Sequence, residues 1–184
     1  TLQDSYLGGA DTLEHLLTAV RVFKQEPAFL DLYKDETAKQ TLMDLAGRLS
    51  TVLQREQEQL ANQAGSLETQ AVDMISTRID ALKDIIWTIN VELAGNLSRI
   101  KALMGEDAGQ RPDTCITVFR QINAVLNSID RLEVRGRDSA GISILFIFPQ
   151  SDYDALATAL DKSGLTEDFQ ARMNHDVLGN TSIS

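Results

Sequence analysis

The sequence predicts a mainly α-helical chain with one long antiparallel hairpin and a single buried strand. Of its 184 residues 43% are hydrophobic and only 5% are aromatic, and helix-forming Ala, Leu, Gln, Glu and Lys are frequent. Apolar residues recur at spacings of three and four along most of the chain, which is the period of an amphipathic helix. One short segment, 140–148, breaks this period and indicates a strand.

Two helices are predicted before the hairpin. The first begins near Asp11, because Asp11 and Glu14 form a capping-box-like pair at its N-terminus. Pro27 either ends this helix or begins a short second one that extends from Ala28 to about Tyr33.

The long hairpin is predicted over residues 35–104. Its first helix extends from about Asp35 to Gln63, and its second from about Leu67 to Met104. The short Gly-Ser connection favours antiparallel packing. The second helix carries a heptad-like seam, formed by Val72, Ile75, Ile79, Leu82, Ile86, Ile89, Leu93, Leu97, Ile100 and Met104. This seam is either the buried side of the hairpin or a dimerisation face, and Trp87 lies one position past it.

A further helix is predicted from about Asp113 to Glu133, after a loop rich in Gly and Pro. Its apolar residues are expected to face inward: Ile116, Phe119, Ile122, Val125, Leu126, Ile129 and Leu132. The segment Ala140–Phe148 is apolar on both faces and rich in β-branched residues, as in a central strand. Because a single strand is not stable alone, its partner strands are expected elsewhere.

Two short helices are predicted to complete the chain. Ser151 and Asp154 cap a helix that reaches about Lys162 and is ended by Gly164, and Thr166 caps another that reaches about residue 174.

The charge of the chain excludes several classes of function. Its formal net charge is −10, so neither nucleic acid nor an anionic membrane surface is an expected partner. No apolar stretch approaches the length of a membrane span, and no signal peptide is visible. The single Cys115 excludes an intrachain disulfide and favours a cytoplasmic location.

The run from Leu132 to Ile142 resembles a motif of the class II glutamine amidotransferases. It reads Leu-Glu-Val-Arg-Gly-Arg-Asp-Ser-Ala-Gly-Ile, and the glutamine–fructose-6-phosphate aminotransferases (glucosamine-6-phosphate synthases) are the most similar subgroup. Nine of these eleven positions match the motif. The departures are Val134 and Arg137, where that subgroup commonly has tyrosine.

The resemblance implies a fold, an activity and a set of supporting residues. The predicted helix–turn–strand would belong to an α/β sandwich of the N-terminal-nucleophile-hydrolase type. The parent protein would make glucosamine 6-phosphate from fructose 6-phosphate and glutamine, without a metal or an organic cofactor. By resemblance Arg135, Gly136 and Asp138 support the glutaminase pocket: Gly136 permits the turn, Arg135 offers a rigid fork of donors, and Asp138 accepts backbone N–H bonds.

The chain lacks other parts of that family's machinery. The family nucleophile is an N-terminal Cys, whereas this chain starts with Thr1 and its only Cys is internal. The family's Arg-Trp-Ala-Thr-His and Asn-Gly runs and its isomerase domains are also missing. We therefore expect residues 1–110 to be a helical insertion or interaction region and residues 111–184 to be a partial glutaminase region. The fragment itself is expected to be inactive, and its catalytic residues are unknown.

Several residues have both a chemical and a structural interpretation. Thr1 could be an N-terminal nucleophile, but the residues after it do not resemble the buried strand that such a nucleophile needs. Cys115 lies in the first turn of a predicted helix, where a thiolate can be stabilised, but a small core-facing or partly buried residue is the favoured interpretation. His15 and His175 have no companion at metal-ligand spacing, so no metal site is predicted. The acidic residues at the last helix starts are explained as caps: Asp152, Asp154, Glu167 and Asp168.

Two other functions remain open from the sequence. The chain could be a non-catalytic module that binds a partner or forms a homo-oligomer through the helical hairpin, or a hydrolase that uses Thr1. The module would dimerise without any effect of glutamine, and the hydrolase would lose amide hydrolysis on Thr1→Ala.

Overall fold

The structure, a computed structural model, describes residues 5–105, 108–133, 147 and 149–173. These residues are mainly helical, which confirms the predicted mainly α class. The chain divides into two compact units, Thr1–Asp138 and Ser139–Ser184. The predicted functional boundary at residue 110 stays a prediction.

Six α-helices and one π-helical segment are described in the first unit. In chain order they are α1 (Ala10–Val22), α2 (Ala28–Lys34), α3 (Glu36–Gln63), α4 (Thr69–Trp87), the π-helical segment (Thr88–Gly95), α5 (Asn96–Met104) and α6 (Asp113–Glu133). Short 3-10 turns precede or connect them at Tyr6–Gly8, Ala64–Ser66 and Ala108–Gln110.

The long hairpin consists of α3 packed antiparallel against the continuous helix formed by α4, the π-helical segment and α5. Its direction is visible where Glu36, at the start of α3, accepts a hydrogen bond of 2.9 Å from Lys101, near the end of α5. The C-terminal half of the seam, from Ile89 to Met104, lies in the hydrophobic core with residues of α1, α2 and α3. Its most deeply buried members are Ile89, Leu93, Leu97 and Ile100. The chain's own helices therefore cover most of the seam.

The π-helical segment shifts the phase of the seam. We predicted Ile86 in the seam, but its neighbour Ile85 is the fully buried residue and Ile86 is only half-buried. A π-helix bonds residues five apart and so takes more residues per turn than an α-helix. Residues four apart therefore remain on one face of the helix through this segment. They are Ile85, Ile89, Leu93 and Leu97.

Side-chain donors accompany this change of helix type. The Thr88 hydroxyl donates to the Asp84 carbonyl at 2.7 Å, and the Asn96 amide donates to the Glu92 carbonyl at 2.7 Å. Such bonds from side chain to carbonyl compete with the regular helical ladder. They flank the segment at its two ends.

The described part of the second unit is a pair of short helices. Helix α7 (Gln150–Lys162) ends before Gly164, whose φ of +67° favours glycine, and α8 (Thr166–Met173) follows. These boundaries agree with the predicted ones to within two residues. None of the α7 side chains is buried.

The predicted strand Ala140–Phe148 lies outside the described residues except for Ile147. That residue has no regular secondary structure, and 90% of its surface is exposed. No strand occurs in residues 5–105, 108–133 and 149–173. Over the same part of the chain, no helix combines the length and apolarity needed to cross a lipid bilayer.

Candidate functional site

The predicted pocket residues Arg135, Gly136 and Asp138 lie outside the described residues. The structure does describe the helix that leads to them: α6 ends at Glu133, one residue past the start of the motif at Leu132. Thr1 and His175 are also outside the described residues. Among the described residues, α6 and the elements packed against it are the part of the chain nearest in sequence to the predicted pocket residues.

One face of α6 is fixed to the bundle by polar side chains. Asn123 and Asn127 both donate to the Asn96 side-chain carbonyl of α5, at 2.9 and 2.8 Å. The Arg99 guanidinium of α5 donates to the side-chain amide oxygen of Asn127 and lies 3.5 Å from the Asp130 carboxylate. Asn123 is itself buried, so this contact between α5 and α6 is a polar one.

The first half of α6 is anchored in a similar way to the end of α1 and the start of α2. The Arg120 guanidinium donates to the Lys24 carbonyl and to the Glu26 carboxylate, and it lies 4.5 Å from the centre of the Phe29 ring. Thr117 donates to the same Glu26 carboxylate at 3.0 Å. These contacts place Thr117 and Arg120 on the bound side of α6.

The opposite face of α6 carries an apolar stripe. At 3.6 residues per turn, positions 118, 122, 125 and 129 lie across the helix from positions 116, 120, 123 and 127. We call Val118, Ile122, Val125 and Ile129 the α6 stripe. Val118 is 39% exposed and Val125 is 46% exposed, while the two isoleucines are half-buried.

This arrangement corrects in part the expectation that all the apolar residues of α6 face inward: Ile122, Leu126 and Ile129 are half-buried, and one residue is exposed. Of the seven named, Ile116 is fully buried and Phe119 packs against the core from a half-buried position. Val125 is exposed, and the side chain of Leu132 is outside the described residues. The sequence could not show that Val125 is exposed. Asn123 and Asn127 hold α6 against α5, where apolar residues were expected to make the contact.

A second polar cluster joins the N-terminal turn to the hairpin. Tyr6 donates a hydrogen bond of 2.6 Å to the buried Glu56 carboxylate of α3, and Arg78 of α4 donates one of 2.6 Å to the Tyr6 carbonyl. Burial, and then the Glu56 carboxylate, raise the pKa of the Tyr6 hydroxyl to about 12. The hydrogen bond from Tyr6 lowers the pKa of the Glu56 carboxyl.

The turn that presents Tyr6 has an unusual backbone. Leu7 has a φ of +52° and is followed by Gly8 and Gly9 with φ of +82° and +90°. Positive φ is costly for a residue with a Cβ and readily adopted by glycine. The two glycines let the chain turn from the Tyr6 contact into α1.

The opposite end of the hairpin has an ion-pair cluster at the surface. Lys101 and then Lys39 hydrogen-bond the Glu36 carboxylate and lower its pKa to about 2. Beside it, the buried Tyr33 hydroxyl bonds the Met104 sulfur and the Ala108 carbonyl, and burial raises its pKa. The Glu36 contacts tie α3 to α5, and the Tyr33 contacts tie α2 to α5 and to the turn that precedes α6.

The other candidate residues are not brought together. Cys115 is half-buried and packs against the core, and His15 is exposed on α1. Asp152, Asp154, Glu167 and Asp168 are exposed near the starts of α7 and α8. In the part of the chain that is described, no three His, Cys, Asp or Glu side chains are grouped as metal ligands.

An open groove runs between α7 and α8. It is lined by Tyr153, Leu156, Ala157, Leu160, Thr166, Phe169 and Gln170. The Thr166 hydroxyl oxygen is buried beside it and has no hydrogen-bond partner among the described residues. The sequence assigned Thr166 only a helix-capping role.

Comparison with protein families, curated protein sequences and solved structures finds no match to this chain.

Proposed function

We propose that this chain is part of a glutamine-dependent aminotransferase that makes glucosamine 6-phosphate from fructose 6-phosphate and glutamine. The observation that carries the proposal is the run from Leu132 to Ile142, with nine matching positions out of eleven. Helix α6 supports it, because the first two residues of the run, Leu132 and Glu133, are helical, and the family motif also begins in a helix.

In this proposal the two parts of the chain have different tasks. The segment 140–148 contributes a strand to an α/β sandwich of the N-terminal-nucleophile-hydrolase type, and Arg135, Gly136 and Asp138 organise its glutaminase pocket. The nucleophile and the sugar-phosphate site belong to other parts of the parent protein. The helical bundle is a support or contact module in a cytoplasmic enzyme that needs no cofactor.

The experiment is a mass measurement on the native gene product, followed by a glutamine hydrolysis assay. We expect a product far larger than the 20.3 kDa of this chain, and an Arg135→Lys variant with kcat/KM for glutamine reduced by about tenfold or more, since lysine lacks the fork of donors. Arg48→Lys, on the exposed surface of α3, is the matched control and should leave kcat/KM unchanged. A native product of the size of this chain, or equal activity in both variants, would contradict the proposal.

A second candidate is a non-catalytic interaction module, and the α6 stripe favours it. A helix face with exposed apolar side chains, here Val118 and Val125, is typical of protein–protein contact surfaces. If the module is the whole function, the chain should self-associate or bind a partner whether or not glutamine is present. Sedimentation with and without glutamine tests this.

A further inference from the structure

We infer that the α6 stripe is the contact surface of a homodimer, in which α6 of one copy packs against α6 of a second. This inference rests on the interaction-module candidate and names both its surface and its partner. It does not depend on the aminotransferase proposal.

The spacing of the stripe supports a helix as the partner. The steps from Val118 to Ile122, Val125 and Ile129 are four, three and four residues, the a and d spacing of a coiled coil. The stripe covers nearly two heptads, and α6 as a whole is about 31 Å long. A straight apolar ridge of this kind fits the matching ridge of another helix.

The residue types favour burial at low cost. All four members of the stripe are β-branched, so their χ1 angles are already restricted in the helix. They lose less side-chain entropy on burial than long, flexible residues do. Val118 and Val125 are also more than one-third exposed, so a second copy would remove additional apolar surface from water.

The charges beside the stripe indicate a second copy rather than a charged partner. The flanking e and g positions are Phe119, Leu126, Gln121 and Ser128, and all four are uncharged. These positions commonly carry Glu and Lys, which select an oppositely charged partner. Here two identical faces meet without like-charge contacts, although the net charge of −10 repels the copies at long range.

The bound face of α6 leaves the stripe available. The contacts of Asn123 and Asn127 with α5, and of Arg120 with the end of α1, hold the helix from the opposite side. The stripe is therefore presented by a helix that is already fixed in place. Because few side chains take part, we expect a weak dimer that dissociates on dilution.

The first test is sedimentation velocity of the 184-residue chain over a range of concentrations. We expect a reversible dimer whose dissociation constant rises by about tenfold or more in Val125→Glu, since a carboxylate would be buried in an apolar contact. Val91→Glu is the matched control: Val91 is 50% exposed, on the π-helical segment, and the change should leave the dimer intact. Circular dichroism melting verifies that both variants are folded.

Salt gives an independent readout of the same contact. Added NaCl should strengthen the dimer, because it screens the repulsion between two acidic copies and cannot weaken an uncharged stripe. A dimer that weakens with salt, or one that Val91→Glu breaks and Val125→Glu does not, would overturn the inference.

A wild-type chain that stays monomeric would also overturn the homodimer inference. Thiol labelling then tests whether the α6 stripe is accessible to a different partner. The probe is a water-soluble maleimide applied to Val125→Cys in a Cys115→Ser background, with Val91→Cys as the reference site. Equal labelling rates at positions 125 and 91 would mean that the stripe is accessible to solvent. The interaction module would then bind a partner other than a second copy. Slower labelling at 125 would mean that the chain itself covers the stripe, and both the dimer and the module based on this stripe would fail.

Discussion

The hairpin seam and the α6 stripe have nearly the same sequence pattern and opposite environments. Both place Val, Ile or Leu at steps of three and four. The C-terminal half of the seam, from Ile89 to Met104, lies in the core with residues of α1, α2 and α3, and Leu97 within it is 0% exposed. The stripe faces away from the helices that hold α6, and Val125 near its centre is 46% exposed.

The difference shows what helical periodicity can and cannot indicate. The 3.6-residue period identifies an apolar face, because burial of that face is the usual reason for the pattern. It does not identify the surface that covers the face. In α6 the polar contacts with the bundle are made by Asn123, Asn127 and Arg120, none of which belongs to the apolar set that periodicity identified.

The largest expected effect compares one side chain from each surface. Leu97→Ala should lower the free energy of unfolding by about 2–5 kcal/mol, because it leaves a cavity in the core. Val125→Ala should change it by about 0.5 kcal/mol or less in the dilute monomer, since the side chain is half-exposed there. Urea unfolding at low protein concentration measures both. Similar losses in the two variants would mean that the stripe is buried within the chain.

The next effect concerns the polar contact that orients the stripe. Asn96→Ala removes the acceptor shared by Asn123 and Asn127, and the buried Asn123 amide is then left without that partner. The expected loss in the free energy of unfolding is about 1–3 kcal/mol. Ser98→Ala is the control on the same helix, because Ser98 is exposed and bonds only its own helix through the Ala94 carbonyl. A loss no larger than that of the control would show that the α5–α6 contact does not depend on the asparagines.

A smaller effect should come from the N-terminal end of the seam, where Tyr6 bonds Glu56. Tyr6→Phe should cost about 1 kcal/mol at neutral pH. The folded state raises the Tyr6 pKa from 10.0 to about 12. The stabilisation is therefore complete below pH 10 and is lost as the pH rises towards 12. Urea unfolding should show that the difference in free energy of unfolding between wild type and Tyr6→Phe becomes smaller over that pH range. A difference that becomes larger would contradict the Tyr6–Glu56 contact.

The smallest effect should come from the other end of the seam, at Glu36. Its pKa is lowered from 4.5 to about 2, so its contribution is present above pH 4.5 and is lost as the pH falls towards 2. The Glu36 side chain is 65% exposed, so solvent screens most of this effect. Glu36→Gln should therefore cost less than about 1 kcal/mol at neutral pH, and less still in high salt. A change as large as that of Asn96→Ala would show that this surface cluster is structurally important.

Much of the helical architecture could be predicted from the sequence. The start of α2 at Ala28 and the span of α6 from Asp113 to Glu133 agree with the predictions, because Pro27 and Pro112 open helices and the apolar period runs unbroken between the breakers. The π-helical segment was not predicted. In this segment the backbone hydrogen bonds join residues five apart instead of four. Apolar residues at steps of three and four do not distinguish that bonding from a regular α-helix.

The sequence by itself determined that the described part of the chain is mainly helical and where most of its helices begin and end. These properties depend on local chemistry: backbone propensity, and glycine and proline at the breaks. Only the tertiary structure decided that Ile85 replaces Ile86 in the core, that Asn96 holds α6, and that the α6 stripe faces outward. Those outcomes depend on which surfaces pack against each other. Contacts between residues distant in sequence decide this, such as the hydrogen bond from Arg120 to the Lys24 carbonyl.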